Sequence, residues 1–141
     1  MTNAEKIERR ISRFGAEITE IPLLGLKAVT IRTGEKYGVF LDPNEITTST
    51  ERAAIEAHEC GHIATATTHT LDAPFDEILR QEYRADRWAV HHFLPVRKLK
   101  KAMLDGYVET WQIAELLDYP QSFVERAFVI YQAEGRICES K

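Results

Sequence analysis

The stretch His58-Glu59-Cys60-Gly61-His62 carries the pattern H-E-x-x-H. On an α-helix, residues four positions apart lie on the same face, so His58 and His62 can point at one metal ion. Glu59 lies beside that pair, within reach of a water molecule on the metal. Two neutral imidazole ligands and a general base within five residues are typical of zinc peptidases. The pentapeptide therefore predicts a helix that carries a zinc site, with the rest of the fold arranged around it.

A second acidic helix follows at a suitable distance and offers the third ligand that a catalytic zinc ion needs. Glu82 and Asp86 are four residues apart and share a helix face with Ala85 and Ala89. Carboxylates set into an apolar stripe are unusual, because a surface helix normally places its acids on the solvent side. The small alanines would let this helix approach another helix closely.

We interpret Glu82 as the third zinc ligand and Asp86 as a hydrogen-bond acceptor for the ring N–H of a ligand histidine. His58 is the preferred partner of Asp86, since such a contact fixes the imidazole tautomer and raises its basicity as a ligand. Glu77 is the competing carboxylate, but no aspartate stands four residues after it.

At this point the chain resembles the ImmA/IrrE family of small metallopeptidases, which has the gluzincin arrangement of H-E-x-x-H followed by E-x-x-x-D. The resemblance rests on residues 58–62, on Glu82-Tyr83-Arg84-Ala85-Asp86-Arg87-Trp88-Ala89 and on Phe93-Leu94-Pro95, within a similar layout over roughly residues 23–135. There are two departures. Cys60 replaces a large apolar residue, and Arg84 stands where a glutamate that is not a ligand is common in the family.

The resemblance implies a function for the whole chain. ImmA/IrrE-like proteins are cytoplasmic zinc peptidases, often carried by phages or other mobile elements, and they relieve repression by cutting a helix-turn-helix repressor. The expected activity is therefore a zinc-dependent metalloendopeptidase with Zn²⁺ as cofactor and a repressor protein as partner. Its expected site consists of His58, His62 and Glu82 as ligands, Glu59 as general base and Asp86 behind a ligand.

Composition sets the remaining limits. The chain has 141 residues, of which 44% are hydrophobic, and a formal net charge of −4, so we expect one folded domain over 1–141 without a general affinity for nucleic acid. Direct nucleic-acid binding is not expected. No apolar segment is long enough to span a membrane, and the amino terminus does not resemble a signal peptide. Cys60 and Cys138 are not expected to form a disulfide, which fits a reducing cytoplasm.

The hydrophobic pattern predicts a mostly helical α+β fold, in which a small antiparallel sheet or hairpin packs on a zincin-like pair of helices. Residues 1–95, approximately, would form the catalytic core with the N-terminal helix. Residues 96–135, approximately, would form a helical subregion that resembles a helix-turn-helix in shape. The predicted strands are 26–31 and 37–41, joined by a turn at 33–36. The predicted helices span 3–14, about 49–67 (opened by a Thr48/Glu51 capping box), 74–94, 96–104, one capped by Thr110, and about 122–134.

Several questions stay open at this stage. Arg97-Lys98-x-Lys100-Lys101 is a solvated helix face, or a surface that binds an acidic partner or nucleic acid. The edge of the sheet near Tyr37 to Leu41 is expected to hold an extended substrate by strand addition. The residue that stabilises the oxyanion is one of His69, Tyr83, His91, His92 and Tyr119.

Alternative functions also remain. One is a zinc-containing regulator that docks a repressor without cutting it, which would not need Glu59. Another is a DNA-binding regulator that uses the C-terminal helices, although Arg126 is the only cation between Ser122 and Glu134. A third is hydrolysis of a non-protein amide by the same site.

Overall fold

The computed structural model of this protein describes residues 1–68 and 72–138. Helices predominate, and a small three-stranded sheet accompanies them, which confirms the predicted mostly helical α+β class. None of the described helices is both long and apolar enough to cross a membrane. In chain order the elements are α1 (Asn3–Arg13), β1 (Glu17–Glu20), β2 (Ala28–Thr33), β3 (Lys36–Leu41), α2 (Ser49–Thr65), α3 (Phe75–Phe93), α4 (Val96–Leu104), α5 (Thr110–Leu117) and α6 (Gln121–Ala133).

Helix α2 begins at the predicted place but is capped by only half of the predicted box. The Thr48 hydroxyl accepts a hydrogen bond from the Glu51 backbone N–H at 3.1 Å. The Glu51 side chain instead accepts bonds from Lys27 at 2.7 Å and from Thr47 at 2.9 Å. The Glu51 carboxylate still complements the dipole at the N-terminus of α2. Its bond with Lys27 also links α2 to the residue just before β2.

The sheet contains one strand that the sequence did not predict. β1 pairs parallel with β3, and β2 pairs antiparallel with β3, in the order β1-β3-β2. β1 is only four residues long and mostly exposed, so it carries almost no hydrophobic pattern. The sheet is therefore mixed rather than purely antiparallel.

The expectation that the edge near Tyr37 to Leu41 holds a substrate is wrong, because β3 is the central strand and is paired on both sides. The two edge strands are β1 and β2, and β2 is the one that packs next to α2. The two-residue turn at Gly34-Glu35 pairs Thr33 with Lys36, and the Asp42 N–H donates to the Lys27 carbonyl at 2.9 Å. By the alternation of an antiparallel ladder, Ala28, Thr30 and Arg32 direct their backbone groups away from β3, toward the free edge.

Helices α2 and α3 cross in close contact at Gly61. A Cβ atom built on Gly61 would lie 2.2 Å from the backbone carbonyl oxygen of Ala85. Ala85 and Ala89 are both buried, as the small-residue pattern predicted. Cys60 is also fully buried and packs as a small hydrophobe, so its thiol is not exposed.

The C-terminal helices cover the far side of α3. α5 and α6 are joined by Asp118-Tyr119-Pro120, as predicted, with Asp118 in the left-handed region at φ 61°. The prediction that Thr110 caps α5 is wrong by one residue. Glu109 is the N-cap and forms a reciprocal capping box with Gln112. The buried residues of α6 include Val124, Ala127 and Ile130.

Replacing Gly61 with alanine tests the close crossing of α2 and α3. In an ordinary helix interior this change stabilises by up to about 1 kcal/mol. Here the added methyl group meets a backbone carbonyl that no side-chain rotation can move, so we expect a loss of at least about 2 kcal/mol in the free energy of unfolding, measured by urea titration. Gly61→Ala should cause the same loss in a protein that already carries Ala85→Gly, because the atom in the way is the backbone oxygen of residue 85 and not its side chain. A Gly61→Ala protein as stable as the wild type would contradict the crossing.

Candidate metal centre

Three side chains from α2 and α3 converge on one point. The Nε2 atoms of His58 and His62 are 3.1 Å apart. Glu82 Oε2 lies 2.7 Å from His58 Nε2, and Glu82 Oε1 lies 3.1 Å from His62 Nε2. These are the only three residues in the described part of the chain whose ligand atoms meet as a group able to hold a metal ion. The sequence predicted the same three. Glu77, the competing carboxylate, instead contacts Gln81 at 3.4 Å.

The outer nitrogen of each imidazole is held by a separate acceptor. His58 Nδ1 lies 2.6 Å from Asp86 Oδ1, the partner that the sequence favoured. His62 Nδ1 lies 3.1 Å from both the backbone carbonyl and the hydroxyl oxygen of Thr67. Acceptors at Nδ1 favour a proton there, which leaves Nε2 as the ring atom directed toward the shared point.

Thr67 reaches His62 because α2 ends sharply. Ala66 adopts the left-handed conformation at φ 53°, and the Thr67 N–H donates to the His62 carbonyl at 3.1 Å. This turn folds the chain back against the last turn of the helix. Thr67 is buried, and its hydroxyl also contacts that of Thr65 at 2.7 Å. The contact was not predicted, because alanine gives no sequence signal for a left-handed residue.

The C-terminal helices reach the site through Arg126 on α6. Its Nε and Nη2 atoms each lie 3.1 Å from Asp86 Oδ2, while Asp86 Oδ1 contacts His58. One carboxylate thus joins a guanidinium on α6 to an imidazole on α2. The Arg126 guanidinium also lies over the ring of Tyr83, 5.9 Å from its centroid. The sequence marked Arg126 only as the single cation of its helix, and no local pattern indicates a contact 40 residues away.

Electrostatics at the site favour positive charge. Burial lowers the pKa of His58, but its hydrogen bonds with Asp86 and Glu82 outweigh burial and raise that pKa to about 10. Hydrogen bonds from His58 and His62 hold the pKa of Glu82 well below its usual range, against the opposing effect of burial. With both imidazoles neutral, as metal ligands must be, the carboxylates of Glu59, Glu82 and Asp86 and the Arg126 guanidinium sum to two formal negative charges.

The donor set fits a zinc ion. Zinc bonds of about 2.0–2.1 Å in tetrahedral geometry place neighbouring ligand atoms about 3.3 Å apart. The separations of 2.7 to 3.1 Å here need only small adjustments to reach that value. Two imidazoles and a carboxylate also suit zinc better than magnesium or calcium. A divalent cation would balance the two formal negative charges.

Glu59 lies next to the three ligands and is held by the sheet. The Thr30 hydroxyl donates to Glu59 Oε2 at 2.5 Å and lies 3.5 Å from the Glu59 backbone oxygen. Thr30 is in β2, on the side of the strand that faces α2. The side chain of Glu59 is therefore fixed in the buried wall of the site, 7% exposed. Thr30 was not predicted as a site residue, because its contact depends on how β2 packs on α2.

Two clefts meet at His58 and Glu59, which line both of them. The larger, of about 660 Å³, extends along α2 toward the α5–α6 turn and also includes Lys27, Ala28 and Ile55. The smaller, of about 410 Å³, includes Thr30, His62 and Glu82. Ala28 also lines both clefts, so the free edge of β2 runs along both of them, past His58 and Glu59.

The five predicted oxyanion donors are scattered. His69 lies outside the described residues. Tyr119 donates to the Phe93 carbonyl at 3.3 Å, His91 contacts Glu134 at 2.7 Å, and His92 stacks on Trp88 with ring centroids 4.6 Å apart. Tyr83 follows Glu82 in the chain, and its ring lies under the Arg126 guanidinium. None of the four described candidates lines either cleft.

No family model, curated protein or solved structure matches this chain. The resemblance to the ImmA/IrrE family therefore stays a prediction that rests on the motifs. The geometry of the site carries the functional argument.

A zinc titration of the purified protein should reveal one site whose affinity falls in a defined order among variants. We expect Glu82→Gln to weaken binding by more than about 100-fold, since it removes a charged ligand. Asp86→Asn should cost about 10–100-fold through the orientation and basicity of His58. Arg126→Gln should cost a smaller factor, because it acts only through Asp86. Competition with a chelator of known affinity measures each value.

Arg87→Gln is the matched control for Arg126→Gln. Arg87 joins α3 to α6 through Glu134 at 2.6 Å and has no contact with the ligands, and its replacement removes the same charge. The zinc affinity of this variant should equal that of the wild type. Equal decreases in the two arginine variants would show that Arg126 acts by holding α6 in place and not through Asp86.

Proposed function

We propose that this protein is a zinc-dependent metalloendopeptidase, with His58, His62 and Glu82 as the metal ligands and Glu59 as the general base. The observation that carries the proposal is the convergence of these four side chains at the meeting point of two open clefts. A structural zinc site is normally closed by four protein ligands, whereas three ligands beside a carboxylate and a cleft are typical of a catalytic one.

A zinc ion held by these ligands would act as a Lewis acid on a carbonyl and lower the pKa of a bound water to about 7. Glu59 takes the proton of the attacking water and later delivers it to the leaving amine. Thr30 holds Glu59 on the side of β2, so the carboxylate needs little reorganisation before the transfer. Asp86 and Thr67 keep both imidazoles in the orientation that binding requires.

The open edge of β2 supports a peptide as the substrate class. Ala28, Thr30 and Arg32 offer backbone groups to an added strand, and a strand placed there passes the ligands. The motif resemblance favours a particular peptide substrate, a helix-turn-helix repressor in a phage or mobile-element switch. The protein would then relieve repression by cutting its partner.

Cleavage of a helix-turn-helix repressor encoded beside this chain's gene tests the proposal directly. The zinc-loaded wild type should release a discrete fragment, detected by mass spectrometry, and Glu59→Gln should release none while it retains zinc and fold. Glutamine keeps the size of the side chain but cannot accept the proton at neutral pH. If neither protein cuts and both bind the repressor equally, the docking regulator is the correct function. Equal cutting by both would remove Glu59 from the mechanism.

Substitution of Ala28 by proline tests strand addition at β2. Its N–H faces the free edge, so proline should spare the pairing with β3. Loss of one backbone hydrogen bond to the substrate, about 0.5–1.5 kcal/mol, should raise KM by about 2–10-fold with kcat nearly unchanged. Ala28→Val adds similar bulk and keeps the N–H, so it serves as the control. A KM that rises equally in both variants would indicate crowding of the cleft.

A further inference from the structure

A third cleft, of about 410 Å³, lies between α1 and the end of α3 and shares no residue with the two clefts at the metal centre. Four of its lining side chains are cationic and come from α1, and α3 contributes a histidine at the end of its last turn. No carboxylate is present among the described residues that line it. The lining consists of Met1, Lys6, Arg9, Arg10, Arg13, His92 and Phe93.

The four cations that α1 places in this cleft are not held in ion pairs by the described carboxylates. Within residues 1–68 and 72–138, none of the four α1 cations forms an ion pair, whereas Arg52, Arg87 and Arg126 all do. Hydrogen bonds with Thr2, and to a smaller degree the charge of Arg9, lower the pKa of Glu5, but Glu5 forms no ion pair with Arg9. Glu5 closes the capping box with Thr2. Burial raises the pKa of Glu56 to about 7 and the charge of Glu8 adds to that rise, so Glu8 faces α2.

Arg10 is the most constrained of these cations. Its guanidinium lies over the ring of Phe14, 5.3 Å from the centroid, and its buried Nε atom has no hydrogen-bond partner in the structure. A buried donor without an acceptor destabilises the folded chain. The side chain is thus held in position at the cleft with unused hydrogen-bonding capacity, which an anion would satisfy.

The positive surface continues onto α4. Burial lowers the pKa of Lys98, and the nearby charges of Lys6 and Arg97 lower it further, so these three cations lie close together across α1 and α4. The dipole of α1 accounts for cations in its last turn, which are Arg10 and Arg13. It does not account for Lys6 and Arg9, which lie in earlier turns.

We propose that the cleft between α1 and α3 binds a run of phosphate groups, and that its length fits a nucleic-acid backbone. Lys6 and Arg13 are seven residues apart, which on a helix is about 10 Å. Each strand of a duplex carries one phosphate per about 3.4 Å of helix axis, so α1 laid along that axis would cover about three phosphates of one strand. Arginine forks match phosphate oxygens, and three of the four α1 cations are arginines.

This surface explains how a chain with a net charge of −4 can still bind a polyanion. The sequence argument against nucleic-acid contact used the net charge and the composition of α6. Neither observation concerns α1, where unpaired cations collect on one side of the molecule. The inference does not depend on the metal site, and its test needs no zinc and no peptidase activity.

The test is binding of a short fluorescent DNA duplex, followed by anisotropy over a series of salt concentrations. The logarithm of the binding constant should fall linearly with that of the salt concentration, and the slope should shrink by about 0.9 for each phosphate that the protein no longer neutralises. The double variant Arg9→Gln/Arg13→Gln should lose two phosphate contacts, so we expect its slope to be smaller by about 2. Both side chains are exposed, so folding should be retained and can be verified by circular dichroism.

Lys36→Gln combined with Arg84→Gln is the matched control. These two exposed cations also have no ion pair among the described residues, lie outside this cleft, and remove the same net charge when replaced. The control should keep the wild-type slope. Equal reductions in both double variants would overturn the proposal, because the whole-protein field and not the cleft would then be responsible.

Competing ligands identify the source of the phosphate groups. Displacement of the duplex by unlabelled duplex, with ATP much weaker, supports the nucleic-acid backbone. Direct binding of ATP, with loss of that binding in Arg9→Gln/Arg13→Gln, supports a phosphate site that takes a nucleoside triphosphate. Displacement by poly-glutamate as effective as by the duplex overturns the phosphate assignment in favour of an acidic protein. Absence of binding by duplex and ATP at low salt also overturns the proposal.

Discussion

The close crossing of α2 and α3 at Gly61 is the constraint on which the candidate metal centre depends. Because no side chain separates Gly61 from the Ala85 carbonyl, the two backbones meet one position away from both His62 and Asp86. The short side chains of Glu82 and Asp86 can then reach the imidazoles of α2 directly. A wider crossing would leave the carboxylates on α3 too far away to contact both rings at once.

Charge balance is the second constraint on the site, and it extends beyond the ligands. Asp86 contacts His58 with one oxygen and Arg126 with the other, so α6 helps to hold a carboxylate that would otherwise be poorly compensated in a partly buried place. The C-terminal helices therefore support the metal centre as well as the core. This contact gives the helical region after Pro95 a role at the site that does not require it to bind DNA.

The unpaired cations of α1 and the carboxylates of the candidate site lie in different parts of the molecule. The carboxylates of Glu59, Glu82 and Asp86 gather where α2 and α3 cross, whereas Lys6, Arg9, Arg10 and Arg13 line a separate cleft on α1. Like charges placed together raise the free energy of the folded chain unless a counter-ion is bound. A cation at one place and an anion at the other would each relieve this repulsion, so both clusters point to ligands of opposite charge.

The sequence by itself determined the helices, the mostly helical α+β class and the identity of the three converging side chains. These follow from local spacing, since residues four apart on a helix share a face whatever surrounds them. It also indicated that Asp86 would meet His58. It missed β1, whose four residues are mostly exposed and show no alternation.

Tertiary structure alone decided the rest. The central place of β3, the free edge of β2 and the contacts of Thr30 and Arg126 all join residues from different elements. The local contact of Thr67 with His62 depends on the left-handed turn at Ala66. The cationic cleft likewise needs α1 to pack beside the end of α3. Periodicity states which face of an element is buried, but it does not state which element covers that face. Only the packed chain brings such distant residues together.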